Sequence, residues 1–383
     1  MTGLATASFL AFGTLLVLLG VNATEIIASL DLDYADLGLL GSMLSLGLGI
    51  GIVVAGPIAD RLPRRPLYIA SCFVVIAATT TLGPQTTHTH LIVHMIAIGL
   101  GAGFYETVLS VIIIEEFADA ARKRLLFIHS GAPFAACVVP LLIAFSRGNF
   151  ELEWYVTFRW AGLLHVPLIA AACFHSMQVT ARRTGSQPLG TGHSPEERTN
   201  NRLVLAAICV ATFAYVGVES ALTIFVVDHT ETDLGLSATR AARTISTFWG
   251  GLLVGRLAAG LSMRSPGAGT TAVSALLAAG IVLAFGLGWI EVPELAMAIT
   301  GLLLGGVFPV MIGLAGQSLP SSPAIAVGLA GGLGSLGGFV IPWYTGRLAS
   351  TEGLPFALAA LSGWLLLLVA AAATARFRLS DRS

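Results

Sequence analysis

The stretch GLGAGFYETVLSVIIIEEF, from Gly99 to Phe117, decides the fold class of this chain. It is an apolar run long enough to cross a bilayer, because about 20 helical residues span the hydrocarbon core. One carboxylate, Glu106, lies near its middle. A charged side chain at that depth costs about 3 kcal/mol on insertion scales. The run therefore predicts a functional group at Glu106; the structural alternative is a protonated carboxyl that bonds to a neighbouring helix.

The composition of the whole chain agrees with this first membrane helix. Of its 383 residues, 55% are hydrophobic and 11% are charged, whereas soluble domains carry about 25% charged residues. The net charge of -1 excludes a basic nucleic-acid surface. The four cysteines lie in apolar runs without metal-ligand spacing, and the sequence contains no phosphate-binding loop. We therefore expect an all-α polytopic membrane protein that is not an enzyme and that uses no cofactor and no metal.

Apolar runs recur along the chain at the spacing of membrane helices, with six before a polar stretch and six after it. They lie at residues 7–30, 37–58, 66–84, 89–117, 126–146, 158–179, 203–228, 240–262, 269–290, 294–316, 323–345 and 355–375. This pattern predicts 12 transmembrane helices as two six-helix bundles. The first bundle covers residues 1–180, a linker covers residues 181–202, and the second bundle covers residues 203–383.

Basic residues are concentrated in alternate loops. The loops after the second, fourth and sixth runs contain Arg61, Arg124 and Arg183, whereas the other loops hold SLDLDYAD, PQTTHTH and EVPE. Loops rich in arginine and lysine face the cytoplasm. One loop, QSLPSSP at residues 317–323, has no basic residue and departs from the rule. The pattern predicts a protein of the inner or plasma membrane with both termini and the linker in the cytoplasm.

The loop GPIADRLPRR, between the second and third runs, combines a small residue with an acid and several arginines. The residues that carry the pattern are Gly56, Asp60, Arg61, Arg64 and Arg65. The loop resembles the motif of the major facilitator superfamily, although Pro63 stands where a glycine is usual. A weaker echo, with Gly255 and Arg256, lies in the second half, as an internal repeat predicts. The resemblance implies the major facilitator fold and a conformational latch at this loop.

Further motifs lie within the helices. The first helix contains VNATEII, with Asn22 and Glu25 on one face, and the fourth contains GFYETVLS, with Glu106. The seventh begins FAYVGVES, with Glu219, and the tenth contains a Phe-Pro pair at Phe308. Together they resemble the fucose–galactose–glucose proton symporter family. The resemblance implies uptake of a sugar or polyol with a proton, with Glu25 tied to protonation and Glu106 in a central cavity.

The candidate site extends beyond the two acids. Glu219 stands where the family more often has an uncharged polar group, and it is either a cavity residue or an interhelical hydrogen-bonding group. Asn22 donates either to a solute hydroxyl or to Glu25. Trp249 and Trp343 are candidates for stacking on a sugar ring, and anchoring at the membrane interface is the alternative. We thus predict proton coupling by Glu25 and Glu106, and solute binding by those two acids with the four further residues.

Two other functions are consistent with the same residues. An acidic cavity would suit an exporter that exchanges a cationic or amphipathic compound for protons. A membrane sensor that does not transport is the second alternative, although its usual signalling domain is not apparent in the sequence. We expect the partners to be a small-molecule solute, a coupling proton with sodium as the alternative, and the lipid bilayer. Nucleic acid is not expected as a partner, and we expect a monomer.

Overall fold

The computed structural model describes residues 1–117, 121–150, 152–175, 177, 195–262, 267–319 and 322–380, which contain helices and no strand. The helices are α1 (Thr2–Val21), α2 (Ala23–Leu30), α3 (Tyr34–Ala59), α4 (Arg64–Thr80), α5 (His88–Phe117), α6 (Ala121–His129), α7 (Gly131–Phe150), α8 (Trp154–Leu163), α9 (His165–Phe174), α10 (Pro195–Thr232), α11 (Ala238–Leu261), α12 (Ala268–Gly286), α13 (Pro293–Leu304), α14 (Val307–Ser318), α15 (Pro323–Glu352) and α16 (Leu354–Ser380).

These helices coincide with the twelve apolar runs of the sequence. Ten segments of the described residues are long and apolar enough to cross a membrane, and α4 and α11 coincide with the third and eighth runs. Four spans consist of two consecutive helices: α1 with α2, α6 with α7, α8 with α9, and α13 with α14. The predicted all-α polytopic fold is confirmed, and each predicted apolar run overlaps one span.

Prolines explain three of the four breaks within spans. Pro133, Pro167 and Pro309 each lie in the first turn of the helix that follows a break. A proline has no N–H to donate, and its ring clashes with the carbonyl four residues earlier. The carbonyl four residues before each proline therefore receives no hydrogen bond from it, and the helix is interrupted. A new helix begins two residues before the proline, whose missing N–H falls in the first turn and costs nothing. The fourth break, at Asn22, has no proline nearby.

Glycines let the same pairs of helices approach closely in each half of the chain. Two glycines of α3 lie against the backbone of α5, and two glycines of α5 lie against the backbone of α3. A methyl group built on any of these four glycines would collide with the facing backbone. The same relation links α11 and α13. In each of the four pairs the glycines are four residues apart, which is the small-xxx-small pattern of membrane helix interfaces; in the last pair, Gly305 is the C-cap residue of α13. The residues are Gly47 and Gly51, Gly99 and Gly103, Gly251 and Gly255, and Gly301 and Gly305.

The two halves of the chain meet along α3 with α15, α7 with α11, and α1 with α10. Their contact is closest at the end of the bundle that carries residues 31–33, here called the Asp31 end. A methyl group built on Gly38 would lie 2.6 Å from the carbonyl oxygen of Pro342. Beside it, the backbone N–H of Ala35 donates to Ser350 Oγ at 2.8 Å. The halves are therefore packed together at this end.

Contact between α3 and α15 weakens towards the opposite end, here called the Asp60 end because it carries residues 60–63. In mid-bundle, a methyl on Gly49 would lie 3.1 Å from Ser335 Cβ. Further along, no described atom lies within 4 Å of a methyl built on Gly56, Gly328 or Gly332. On the other side of the bundle, Gly260 of α11 still lies against Leu126 of α6. The halves thus separate along one seam, towards the Asp60 end.

Most of the predicted linker lies outside the described residues, which resume at residue 195. Residues 195–202 are helical, because α10 begins at Pro195. The predicted start of the seventh run at residue 203 is therefore two turns later than the start of the helix. The loop at residues 317–323 is also only partly described, since residues 320 and 321 lie outside.

Candidate functional site

Glu106 faces a polar cluster that is built from both halves of the chain. It lies on α5, while Tyr215 and Glu219 lie on α10 and Arg256 lies on α11. The Tyr215 hydroxyl donates to Glu219 Oε2. The charge of Arg256 acts on Glu106, on Glu219 and on Tyr215. The charge of one arginine therefore acts on a carboxyl from each half of the chain.

Aromatic side chains line this cluster on both sides. The ring of Phe308, from the predicted Phe-Pro pair, stacks on Tyr215 with centroids 6.1 Å apart. On the side of the first half, His129 lies 4.2 Å from the Phe9 ring centroid and hydrogen-bonds Ser110 Oγ at 3.3 Å. Rings from both halves of the chain therefore border the charged groups.

One face of α11 presents polar groups that have no partner. Ser246, Trp249 and Arg256 recur at intervals of three and seven residues, so they lie on the same side of the helix. Ser246 Oγ, Trp249 Nε1 and Arg256 Nε are buried, and none has a hydrogen-bond partner among the described residues. Trp249 is 3% exposed. The predicted solute-binding role of Trp249 is untested, but its N–H is free to bind a solute.

Glu25 and Asn22 lie in a different setting from Glu106. The Nη2 of Arg147, on α7, donates to Glu25 Oε2 and to Asn22 Oδ1. Asn22 Oδ1 also accepts from Thr157 at 3.2 Å, and Asn22 Nδ2 donates to the Leu18 carbonyl. Asn22 is fully buried and its amide groups are all used. A contact between Asn22 and a solute would therefore require this network to open.

Trp343, the second residue predicted to stack on a solute, lies on α15 near the Asp31 end of the bundle. The Trp343 ring is 37% exposed, and the guanidinium carbon of Arg347 lies 5.2 Å from its centroid. No described contact links Trp343 to Glu106 or Arg256. Its solute-binding role stays a prediction.

The superfamily-like loop at the Asp60 end is held mainly by its later arginines. Arg64 donates through Nη1 and Nη2 to the two carboxylate oxygens of Glu115, at 2.5 and 2.9 Å. Arg65 Nη2 donates to the His175 carbonyl. Asp60 and Arg61 are exposed. Gly56 lies beside the open seam described above, so the loop lies where the halves separate.

Four charged residues that the sequence interpretation did not assign prove central to these contacts. Arg147 and Arg256 each bind or attract the predicted acids, and Asp228 and Glu231 bond across the halves. Tyr34 donates to Asp228 Oδ2 at 2.9 Å, and Thr24 donates to Glu231 Oε2 at 2.9 Å. The available signal was the same in each case: an ionisable residue within or beside an apolar run is a functional-site candidate.

The family of the chain follows from a match that covers most of its length. Residues 4–342 match the model of the Major Facilitator Superfamily. The chain belongs to the Major Facilitator Superfamily. It is an integral membrane protein and a secondary transporter of this type, not an enzyme.

Two relatives of low sequence identity are similar to this chain over different lengths. A TsgA homolog of Erwinia tasmaniensis is 22% identical over 370 residues, which cover 93% of this chain and 90% of the relative. The multidrug resistance protein MdtL of Klebsiella pneumoniae is 24% identical over 199 residues, about half of each chain.

Solved structures agree on the fold. A D-xylose-proton symporter matches with a TM-score of 0.78 at 15% identity, covering 96% of this chain and 95% of that one. A bacterial homolog of the human lysosomal transporter Spinster, in an inward-facing and occupied conformation, matches with a TM-score of 0.76 at 17% identity, covering 99% of this chain and 97% of that one. At this identity the likeness shows the major facilitator fold alone.

Proposed function

We propose that this protein transports a small polar solute, a sugar or related polyol, together with a proton. The observation that carries the proposal is the convergence of Glu106 and Glu219, from opposite halves of the chain, on Arg256. A site shared between the halves changes its geometry whenever the halves move, which is the requirement for alternating access. We propose that the halves are the predicted bundles at residues 1–180 and 203–383.

Proton coupling rests on the partial burial of Glu106 beside the charge of Arg256. Removal from water disfavours the charged form of a carboxyl, whereas a nearby arginine favours it. Movement of α11 relative to α5 would change the distance from Arg256 to Glu106 and hence the affinity of Glu106 for a proton. We propose Glu106 as the main proton carrier. Glu25 is the second coupling candidate, because a proton on its carboxyl would weaken its bond to Arg147.

Alternating access is supported by the unequal ends of the bundle. The Tyr34–Asp228 and Thr24–Glu231 hydrogen bonds join the halves at the Asp31 end, while the seam beside Gly56 is open. If the arginine-rich Asp60 loop faces the cytoplasm, as its charge predicts, the described conformation is open to the cytoplasm. We propose a location in the inner membrane with both termini cytoplasmic, and the Gly56–Arg65 loop as the conformational latch.

The choice of a sugar rests on the likeness to the fucose–galactose–glucose proton symporters and stays a proposal. Support comes from the polar groups of Trp249 and Glu219, which suit hydroxyl groups. Sodium is the alternative coupling ion.

Export of a cationic compound is the second candidate. Two carboxyls face one arginine in the cluster, so the site carries a negative charge when both acids are ionised. The similarity of half of the chain to multidrug resistance proteins agrees with this alternative. An exporter would exchange its substrate for protons, so the direction of proton movement separates the two candidates.

Transport in proteoliposomes tests the proposal. The purified full chain would be screened by counterflow with radiolabelled sugars, organic cations and organic anions, and then with imposed proton and sodium gradients. We expect an inward proton gradient to drive accumulation of a sugar-like solute. Accumulation driven only by sodium, or expulsion of a cation against entering protons, would contradict proton symport.

A further inference from the structure

Two arginines on α11 use the same edge of the guanidinium group in different ways. Arg240 donates through Nε and Nη2 to the two carboxylate oxygens of Glu294, at 2.8 and 2.9 Å. This edge has the fork geometry that binds a carboxylate or phosphate with two hydrogen bonds. In Arg256, the Nε of this edge is buried and has no partner among the described residues. The guanidinium also lies within hydrogen-bonding reach of the Tyr215 hydroxyl, but its Nε–H is free to donate to an oxyanion.

Arg256 also differs from the other arginines whose Nε is unpaired. Arg147 forms an ion pair with Glu25, and Arg65 bonds to a backbone carbonyl. Within the part of the chain that the structure describes, no carboxylate oxygen lies within 4.0 Å of the Arg256 nitrogens. The Glu106 and Glu219 carboxyls act on it from further away. A guanidinium held in the bundle interior without an ion pair is costly unless a ligand completes it.

A second unfilled donor lies on the same face of the helix. Trp249 is 3% exposed and its indole N–H has no partner. It lies two turns before Arg256, about 10 Å along the helix axis. Long side chains lean towards the N-terminus of their helix, so the Arg256 guanidinium extends back towards Trp249. The two unpaired donors therefore lie towards each other along one face of α11.

We propose that Arg256, through its unpaired Nε–H, binds an oxyanion carried by the solute, a carboxylate or a phosphate, while the Trp249 indole N–H binds another oxygen of the same solute. This inference rests on the proposed transport function and narrows its substrate class to acidic sugars or similar polar anions.

Charge balance links this subsite to proton coupling. The titratable groups that surround Arg256 are Glu106 on α5, His129 on α6, and Tyr215 and Glu219 on α10. With both carboxyls ionised, they outweigh the guanidinium and repel an anion. Each proton that a carboxyl binds removes one negative charge, so an oxyanion binds more tightly as the pH falls. The anion and the proton then enter together.

Counterflow of four labelled probes into proteoliposomes tests the subsite without any mutation. The probes are gluconate, glucose 6-phosphate, glucose and tetraethylammonium. We expect gluconate or glucose 6-phosphate to exchange faster than glucose, and the one that exchanges identifies the oxyanion. Exchange of glucose or tetraethylammonium without either anion would overturn the inference while leaving transport intact. Exchange of none of the four would count against the proposed function itself, and the inference would fall with it.

Variants of the two arginines then assign the effect to one side chain. Arg256→Gln is expected to weaken binding of the exchanged anion about 10- to 100-fold, because a charged hydrogen-bond donor is lost. Arg256→Lys, which keeps the charge without the fork, should give a smaller loss. Trp249→Phe should weaken binding several-fold and keep its pH dependence. Arg240→Gln is the matched control and should bind as the unmodified protein does. Equal losses in Arg240→Gln and Arg256→Gln, or no loss in Arg256→Gln, would overturn the assignment.

Discussion

Glu25 and Glu106 are both carboxylates of the first half of the chain, and the two have opposite surroundings. Glu25 is one-third exposed and forms an ion pair with Arg147, which also holds Asn22. Glu106 lies in the bundle interior and its charged neighbour, Arg256, belongs to the other half. The difference suggests that a partner within the same half fixes a carboxylate in place, whereas a partner across the moving interface makes its proton affinity depend on conformation.

Loss of the Glu106 carboxyl is expected to have the largest effect. A proton gradient of two pH units can sustain about 100-fold accumulation by a symporter that moves one proton, since each unit is worth tenfold. We expect Glu106→Gln to reduce accumulation to the level of equilibration and to leave counterflow in place. Uptake of labelled solute under an imposed gradient measures this. Glu25→Gln is the matched comparison and should lose less than tenfold; the reverse order would break the distinction between the two acids.

Removal of Arg147 should mainly affect stability. Arg147→Gln leaves the Glu25 carboxylate and the buried Asn22 amide without their charged donor, which costs about 1–3 kcal/mol in the free energy of unfolding. Thermal unfolding of the purified protein in detergent would show a lower midpoint. Arg159→Gln is a useful control, because Arg159 donates to a backbone carbonyl, that of Leu82. An unchanged midpoint in Arg147→Gln would mean that the Glu25 network contributes little to the fold.

Opening of the Asp31 end should respond to the bond between Tyr34 and Asp228. Tyr34→Phe removes that hydrogen bond between the halves, which is worth about 1 kcal/mol, or about fivefold in the population of the open state. Spin labels on residues 33 and 235 would report a larger fraction of long distances. Tyr344→Phe, whose side chain is largely exposed, should leave the distribution unchanged. Equal distributions in both variants would show that this bond does not hold the end closed.

The latch loop should give the smallest change in stability. Arg64 binds Glu115 with two hydrogen bonds, but the Glu115 side chain is 34% exposed, so solvent screens the pair. Arg64→Gln should therefore lower the free energy of unfolding by less than about 1 kcal/mol, as denaturant titration would measure. Arg61→Gln, at an exposed position of the same loop, provides the reference. A loss of several kcal/mol would show that the loop is a main stabilising element.

The sequence predicts the spans well and the site only in part. Every long apolar run must be helical in lipid, because no other single segment satisfies its backbone groups there. Glu106, Glu219 and Trp249 were identifiable as polar groups within such runs. Arg256 was recognised only as part of a motif echo, since the sequence does not tell which face of α11 meets α5.

Arg147 shows the same limit of prediction from a single sequence. It lies near the end of its apolar run, where an arginine ordinarily reaches the membrane surface. Its partner Glu25 is 122 positions away in the chain. Only the packing of α7 against α1 brings the two together, and single-sequence patterns carry no information on such a distant contact.

Proton movement that accompanies solute entry tests the central role of Glu106 most directly. A pH-sensitive dye trapped in proteoliposomes would be followed after external addition of whichever probe the counterflow screen identifies. For the unmodified protein and for Glu25→Gln, we predict acidification of the lumen as the solute enters. For Glu106→Gln, we predict solute exchange without acidification. Full acidification in Glu106→Gln, at an unchanged rate of solute entry, would contradict the account.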